Sequence, residues 1–302
     1  MSSRKATKLP VSRGRLTEHV MQAVFRTAAC TSVLAVVLIC VFLFVNGLPA
    51  IGEIGAVDFL LGQKWKPGND IYGILPMILG SIYVTAGAVA IGVPVGILTA
   101  VFMARYCPKK MYGILKAATD LLAGIPSVVY GFFGMVVLVP AVRTLGRELF
   151  GQKGNGNWML TASILLGIMI LPTVIGLAES ALRSVPEQYY EGALALGATK
   201  ERSLFLVVLP AAKSGILAAV VLGIGRAIGE TMAVIMVAGN QPRMPQGLFK
   251  GVRTMTSNIV MEMGYAAGLH REALIATAVV LFGFILIINV SVSALNRRKK
   301  HG

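Results

Sequence analysis

The sequence predicts an all-α integral membrane protein with six transmembrane helices. Three observations carry that prediction. The first is composition: of 302 residues, 56% are hydrophobic and 14% charged, and the mean hydropathy is +0.75. A water-soluble core of this length does not need so much apolar side chain. The second is arrangement. Apolar runs of about 20 residues, each able to cross the hydrocarbon layer at about 1.5 Å per residue, alternate with polar connectors. The third is where the charge falls. The net charge is +15, but all Lys and Arg except Arg226 sit in the tails and connectors, as membrane topology demands, and not in a pattern suited to nucleic acid.

Residues 1–27 form a basic tail with Arg4, Lys5, Lys8, Arg13, Arg15 and Arg26. The first span is expected at 28–45. It is longer than the apolar core of about 7–15 residues in a secretory signal, so it reads as an uncleaved helix. Residues 46–72 form a loop with turn chemistry at Lys66–Asp70, KPGND. The second span, 73–103, is long enough to tilt or kink, and Pro94 between Gly92 and Gly96 is the expected place. A basic connector with Arg105, Lys109, Lys110 and Lys116 leads to a third span at 117–142, then a Gly- and Asn-rich loop at 143–158. The fourth span is expected at 159–178, the fifth at 214–237 and the sixth at 272–293, with a polar loop at 238–271 and a basic tail at 294–302.

Six spans put both termini on one side. Segments on that side carry 18 Lys and Arg, against 9 on the other. Loop lengths are similar, so this bias assigns the termini, and the connector at 184–210, to the cytoplasm. Cys30, Cys40 and Cys107, and His19, His270 and His301, show no metal-ligand or redox spacing, and no cofactor or metal is expected.

Two stretches carry chemistry. In Ser184–Pro210, Ser184 and Glu187 have capping-box spacing. Pro186 suits a first helical turn, Gly197 a left-handed helix end, and Thr199 the cap of a following helix that Pro210 ends or bends. In the fifth span, Arg226 and Glu230 are four residues apart, on one face of a continuous helix. A charge at a helix centre costs about 2.5–3.5 kcal/mol on insertion scales, so such residues persist where they pair or line a polar cavity. Gly223, Gly225 and Gly229 leave this helix thin. One reading is a structural ion pair. The other is a translocation-path site including Thr231, in which the planar Arg226 fork takes a tetrahedral oxyanion and Glu230 holds Arg226 in place or keeps the anion from being trapped. Asp120, Ser127 and Tyr130 are further polar candidates for that path.

Residues 184–210 resemble the EAA loop of importer-type ABC permeases. Glu191, Ala193, Gly197, Leu209 and Pro210 match its spacing, while Gly192 replaces an Ala and Val207 stands where Ile is usual. The resemblance implies the type I ABC importer permease fold, with this loop as the helix that docks on a cytoplasmic ATPase. GRAIGETMAV at 225–234, NDIYGILPMILGSIYVT at 69–85 and LLAGIPSVVYGFFG at 121–134 further resemble phosphate importer permeases of the PstC type. A PstA-type sister shares the RAIGET-like run, but Met232-Ala233-Val234 fits the PstC type better. That resemblance implies import of inorganic phosphate by alternating access. It also implies four kinds of partner: a PstA-type second permease, two PstB-type ATPase subunits, a PstS-type extracytoplasmic phosphate-binding protein, and the bilayer. The chain itself would be non-catalytic. It contains no Gly-x-x-x-x-Gly-Lys-Ser/Thr loop to cradle a nucleotide, and Gly197-Ala-Thr-Lys200 is only a superficial match. The competing readings are an ion-coupled secondary transporter using Asp120 and Glu230 as a proton relay, a channel or scaffold with the charge pair as glue, and an ABC permease for another oxyanion.

Overall fold

The computed structural model describes residues 11–298, with side chains from 18 to 291. Arg4, Lys5 and Lys8 of the first basic tail, and Lys299, Lys300 and His301 of the second, lie outside the described residues.

Helix α1, Val11–Ile54, is followed by the short α2, Ala56–Leu61, and a two-stranded hairpin, β1 Trp65–Lys66 and β2 Ile71–Tyr72, with Trp65 opposite Tyr72. The KPGND turn closes that hairpin, with Asp70 left-handed at φ 54°. Next come α3, Leu75–Val101, and α4, Lys109–Gly124. Helices α5, Ser127–Phe133, and α6, Val139–Phe150, form one continuous rod, and α7 is Met159–Arg183. An elbow follows, made of α8, Glu187–Ala195, α9, Lys200–Ser203, and α10, Leu209–Ala211. The chain ends with α11, Lys213–Gly229, α12, Met232–Val237, α13, Met255–Glu262, and α14, Gly268–Arg298.

Among the described residues, five helical stretches are long and apolar enough to cross a membrane: Glu18–Ile54, Leu75–Tyr106, Ser127–Phe150, Met159–Arg183 and Gly268–Ser291. The pair Lys200–Ala211 and Lys213–Gly229, bent by 69°, brings the number to six when it is counted as one broken span. Three features differ from the expected pattern. The stretch 117–142 is split, because Ile125 precedes Pro126 and is pushed into extended backbone at ψ 126°. The α4 helix on the near side of that break buries no side chain and carries its own Lys116–Asp120 pair at 3.3 Å. The stretch 214–237 is broken at Glu230–Thr231. The loop 238–271 contains a buried helix, α13.

Prolines explain much of the local shape. Wide, π-type turns at Phe102–Tyr106, Gly134–Leu138 and Leu204–Val208 each stop two residues before a proline, at Pro108, Pro140 and Pro210. Proline lacks an N–H and crowds the carbonyl four residues back, here Ala104, Val136 and Leu206, and each of these sits inside a wide turn. Helix α3 instead runs through Pro94 unbroken.

The centre of the molecule is α7, the most buried of the spanning helices. Helix α3 lies against it so closely that a Cβ on Gly92 would sit 2.5 Å from the Gly167 carbonyl oxygen. The middle cluster joins Val84, Leu165, Met169, Ile170 and Val234. A second, around Phe59, Trp65, Met77 and Leu274, joins the hairpin end to α14. A third, around Leu182, Val185, Leu204 and Val208, holds the elbow. Much of α1 is an exposed apolar surface.

Candidate functional site

The predicted path residues lie on and just before the α11–α12 break. Helix α11 ends at Gly229 and α12 starts at Met232, so Glu230 is not on the helical face that carries Arg226. The i, i+4 relation expected from spacing is absent. The Glu230 carboxylate turns forward instead: Oε1 accepts from the backbone N–H of Thr231 at 3.1 Å and of Ala233 at 3.2 Å, satisfying donors at the start of α12. The Thr231 hydroxyl donates to the Gly229 carbonyl at 3.2 Å.

Arg226 reaches sideways to α7, where Nη1 donates to Thr173 Oγ1 at a long 3.4 Å. Among the described residues no carboxylate forms an ion pair with it. Thr173 lies well inside α7, about 21 Å along the axis from Met159 at about 1.5 Å per residue. A half-buried guanidinium thus stands near mid-span beside a helix break, with most of its donors unused. Of the other candidates, Asp120 is taken up by Lys116 on α4, and Ser127 opens α5. The buried Tyr130 donates its hydroxyl to the Leu122 carbonyl at 2.8 Å, bracing the α4–α5 corner.

Sequence reasoning missed what stands behind the break. The Thr256 hydroxyl, on α13, donates to the Glu230 carbonyl at 3.1 Å. At the other end of α13, the buried Glu262 carboxylate gathers Arg253 Nη1 at 2.5 Å, His270 Nε2 at 2.9 Å and Trp65 Nε1 at 2.8 Å. Arg253 also donates to Asn258 and to the Asn240 carbonyl. This network ties hairpin, loop, α13 and α14 together. The only sequence signal for it was a set of charged residues in a stretch read as a polar loop.

The elbow is the second predicted site. Ser184 does not cap α8: its hydroxyl donates back to Ala181, and Pro186 occupies the cap. Glu187 is used elsewhere, pairing with Arg105 at 2.6 Å. Gly197 does adopt the left-handed conformation, at φ 86°, with its N–H bonded to Leu194 and that of Ala198 to Ala193. Thr199 caps α9 by accepting from Arg202 N–H. Glu191 and Gly192 are exposed, Ala193 is half-buried, and Leu196 is 91% exposed. Leu209 and Pro210 form the stiff segment just before the 69° bend.

The elbow's anchors were also missed. Arg105, at the end of the second span, bonds Glu187 and lies 5.3 Å over the Tyr190 ring. Arg183 pairs with Glu179 at 2.7 Å, donates to the Met103 carbonyl at 3.0 Å and stacks 4.6 Å over Tyr112. The hydrogen bond from Tyr112 to Glu179 raises the phenol's pKa, with burial adding to it. In the sequence, Arg105 and Arg183 were visible only as connector charge.

A family model described as the binding-protein-dependent transport system inner membrane component matches residues 92–301. The chain belongs to that family. It is 35% identical over 306 residues to a probable ABC transporter permease protein, YqgH, of Bacillus subtilis, covering 99% of this chain and 95% of the relative. It is 33% identical over 302 residues to a phosphate transport system permease protein, PstC, of Mesorhizobium japonicum, covering 95% and 91%. Among solved structures, a bacterial alginate ABC transporter bound to its pentasaccharide-loaded periplasmic protein aligns with TM-score 0.64 at 16% identity, over 94% of this chain and 98% of that one. The MetNI methionine ABC transporter aligns with TM-score 0.55 at 19% identity, over 75% and 94%. The fold is therefore that of an ABC importer permease, and the protein is a multi-pass membrane protein.

Proposed function

We propose that the chain is the membrane-spanning permease subunit of an ATP-driven importer that moves inorganic phosphate into the cytoplasm by alternating access. The observation that carries the substrate is Arg226. Its planar fork suits a tetrahedral oxyanion through paired, charge-assisted hydrogen bonds, and it stands near mid-span without a carboxylate partner among the described residues. Thr231 at the break adds a hydroxyl. Glu230 keeps negative charge close by, so that the anion is held without being trapped. Relatives named as phosphate transport permeases support the same substrate.

The coupling loop is the exposed face of α8, with Glu191, Gly192 and Ala193, and it docks on a cytoplasmic ATPase subunit. A Cβ on Gly192 would meet nothing within 4 Å, so this chain's own packing leaves that face open to a partner surface. Movement of α8 reaches α3 through Arg105 and reaches α11 through the Leu209–Pro210 elbow, and α11 carries Arg226. Coupling requires the docked α8 to differ in free energy between the two states of the permease. The partners are a PstA-type second permease, two PstB-type ATPase subunits and a PstS-type extracytoplasmic phosphate-binding protein. Hydrolysis belongs to the ATPase subunits. The 18-to-9 bias of basic residues supports a cytoplasmic side for both termini, the tails at 1–27 and 294–302, and α8, with a permease domain over 28–293.

The test is reconstitution of the complete complex in vesicles. Phosphate accumulation that requires ATP and survives a proton ionophore is the expected result. Uptake that persists without ATP and collapses with the ionophore would make this an ion-coupled carrier.

A further inference from the structure

At the end of α7 opposite the elbow, the segment 238–252 folds back over Lys153–Trp158 and forms with it a cavity of about 180 Å³ that is open to solvent on one side. Its walls are pinned. Met159 N–H bonds the Lys250 carbonyl at 2.9 Å, Leu160 N–H the Leu248 carbonyl at 3.0 Å, and Val252 N–H the Ala238 carbonyl at 2.9 Å. Trp158, edge-on to Phe249 at 5.2 Å, supplies an aromatic wall. Three cationic side chains, Lys153, Arg243 and Lys250, line the cavity together with the amides of Asn155, Asn157 and Gln241, and no carboxylate does. None of the three cations is in an ion pair among the described residues. Gly239, in the same wall, stands two residues past the end of α12, whose length of roughly 9 Å separates it from the Glu230–Thr231 break.

We infer that this cavity is a second, outer binding site for a small oxyanion, one step before Arg226. Its volume equals that of about six waters at about 30 Å³ each, which accommodates a tetrahedral oxyanion and part of its hydration shell. A concave site with one sign of charge raises the local concentration of the opposite ion. At the substrate-facing mouth of an importer, such a site holds the anion between its release from the binding protein and its passage to the α11–α12 break. Naming phosphate as the anion rests on the importer reading proposed above; the oxyanion chemistry of the cavity does not.

Trp158 makes the site readable. The purified full-length chain is titrated with sodium phosphate at constant ionic strength, balanced with chloride, and tryptophan emission is followed. The expected result is a saturable change that is absent in Trp158→Phe and unaltered in Arg226→Ala. In Lys153→Ser/Arg243→Ser/Lys250→Ser its midpoint should shift at least about tenfold. All three cations are exposed, so this variant is expected to fold. No saturable change in the wild type, an unshifted midpoint in the triple variant, or loss of the signal in Arg226→Ala would each overturn the inference. A parallel arm in the reconstituted complex measures phosphate imported per ATP, which should fall about tenfold in the triple variant while stimulation of ATPase by loaded binding protein is kept. If stimulation is lost instead, the patch docks an acidic protein surface and the anion site is wrong. Emission that responds to phosphate in a wild-type complex that imports none would leave the oxyanion site standing and remove the phosphate importer reading.

Discussion

Replacing Gly197 isolates backbone strain at the point where α8 turns into α9. The residue sits at φ 86°, and a Cβ built there meets nothing within 4 Å, so a side chain is not excluded by crowding within the chain. What remains is the intrinsic cost of the left-handed region, about 1–2 kcal/mol for an ordinary L-residue and more for a β-branched one. At about 1.4 kcal/mol per factor of ten, that lowers the population of the native turn roughly 5–30-fold. Asn tolerates this region better than Ala although it is larger. Coupling, measured as transport per ATP in the reconstituted complex, should therefore fall in the order Gly, Asn, Ala, Val. A Val variant that couples as well as wild type would refute the argument. Asn performing worse than Ala would show that size at a partner surface, not strain, governs the position.

Further outcomes follow from the same contacts. Arg105→Ala removes the Glu187 pair and the Tyr190 stack; with Glu187 exposed the loss is about 1–2 kcal/mol for the two contacts together, and ATPase activity should persist while transport drops. Arg253→Met leaves the buried Glu262 charge short of its principal partner, a cost of about 3–5 kcal/mol that should lower the thermal unfolding temperature, and Glu262→Gln added to it should recover most of the loss. Gly92→Ala pushes a methyl into the Gly167 carbonyl; thermal unfolding should show a loss of about 1–3 kcal/mol from separation of α3 and α7.

Much of the fold was legible because bilayer physics writes it into composition: long apolar runs have few structural options in lipid. Local signals were less faithful where prolines and tertiary contacts competed. Pro126 split the third expected span because it acts on the residue before it, whereas α3 runs through Pro94 unbroken. Thr199 and Gly197 were readable, since their roles depend on neighbours in sequence. Glu187 and Ser184 were not, because the Arg105 guanidinium, 82 residues away from Glu187 in the chain, competes for the carboxylate. The Arg226–Glu230 spacing suggested a pair only on the assumption of an unbroken helix. The α13 helix and the Glu262 network left no periodic trace: Arg253 and His270 lie within nine residues of Glu262 but on separate elements, and Trp65 and Glu230 are reached only through the tertiary fold.

The central claim is that Arg226 receives phosphate in an ATP-driven permease. Radiolabelled phosphate uptake at low phosphate, in cells lacking this chain, tests it most directly, with sulfate uptake as the control. Restored wild type should recover phosphate uptake and leave sulfate unchanged. Arg226→Ala should reach the membrane and assemble at wild-type levels, yet fail to restore uptake. Undiminished phosphate uptake by an assembled Arg226→Ala complex would contradict the account.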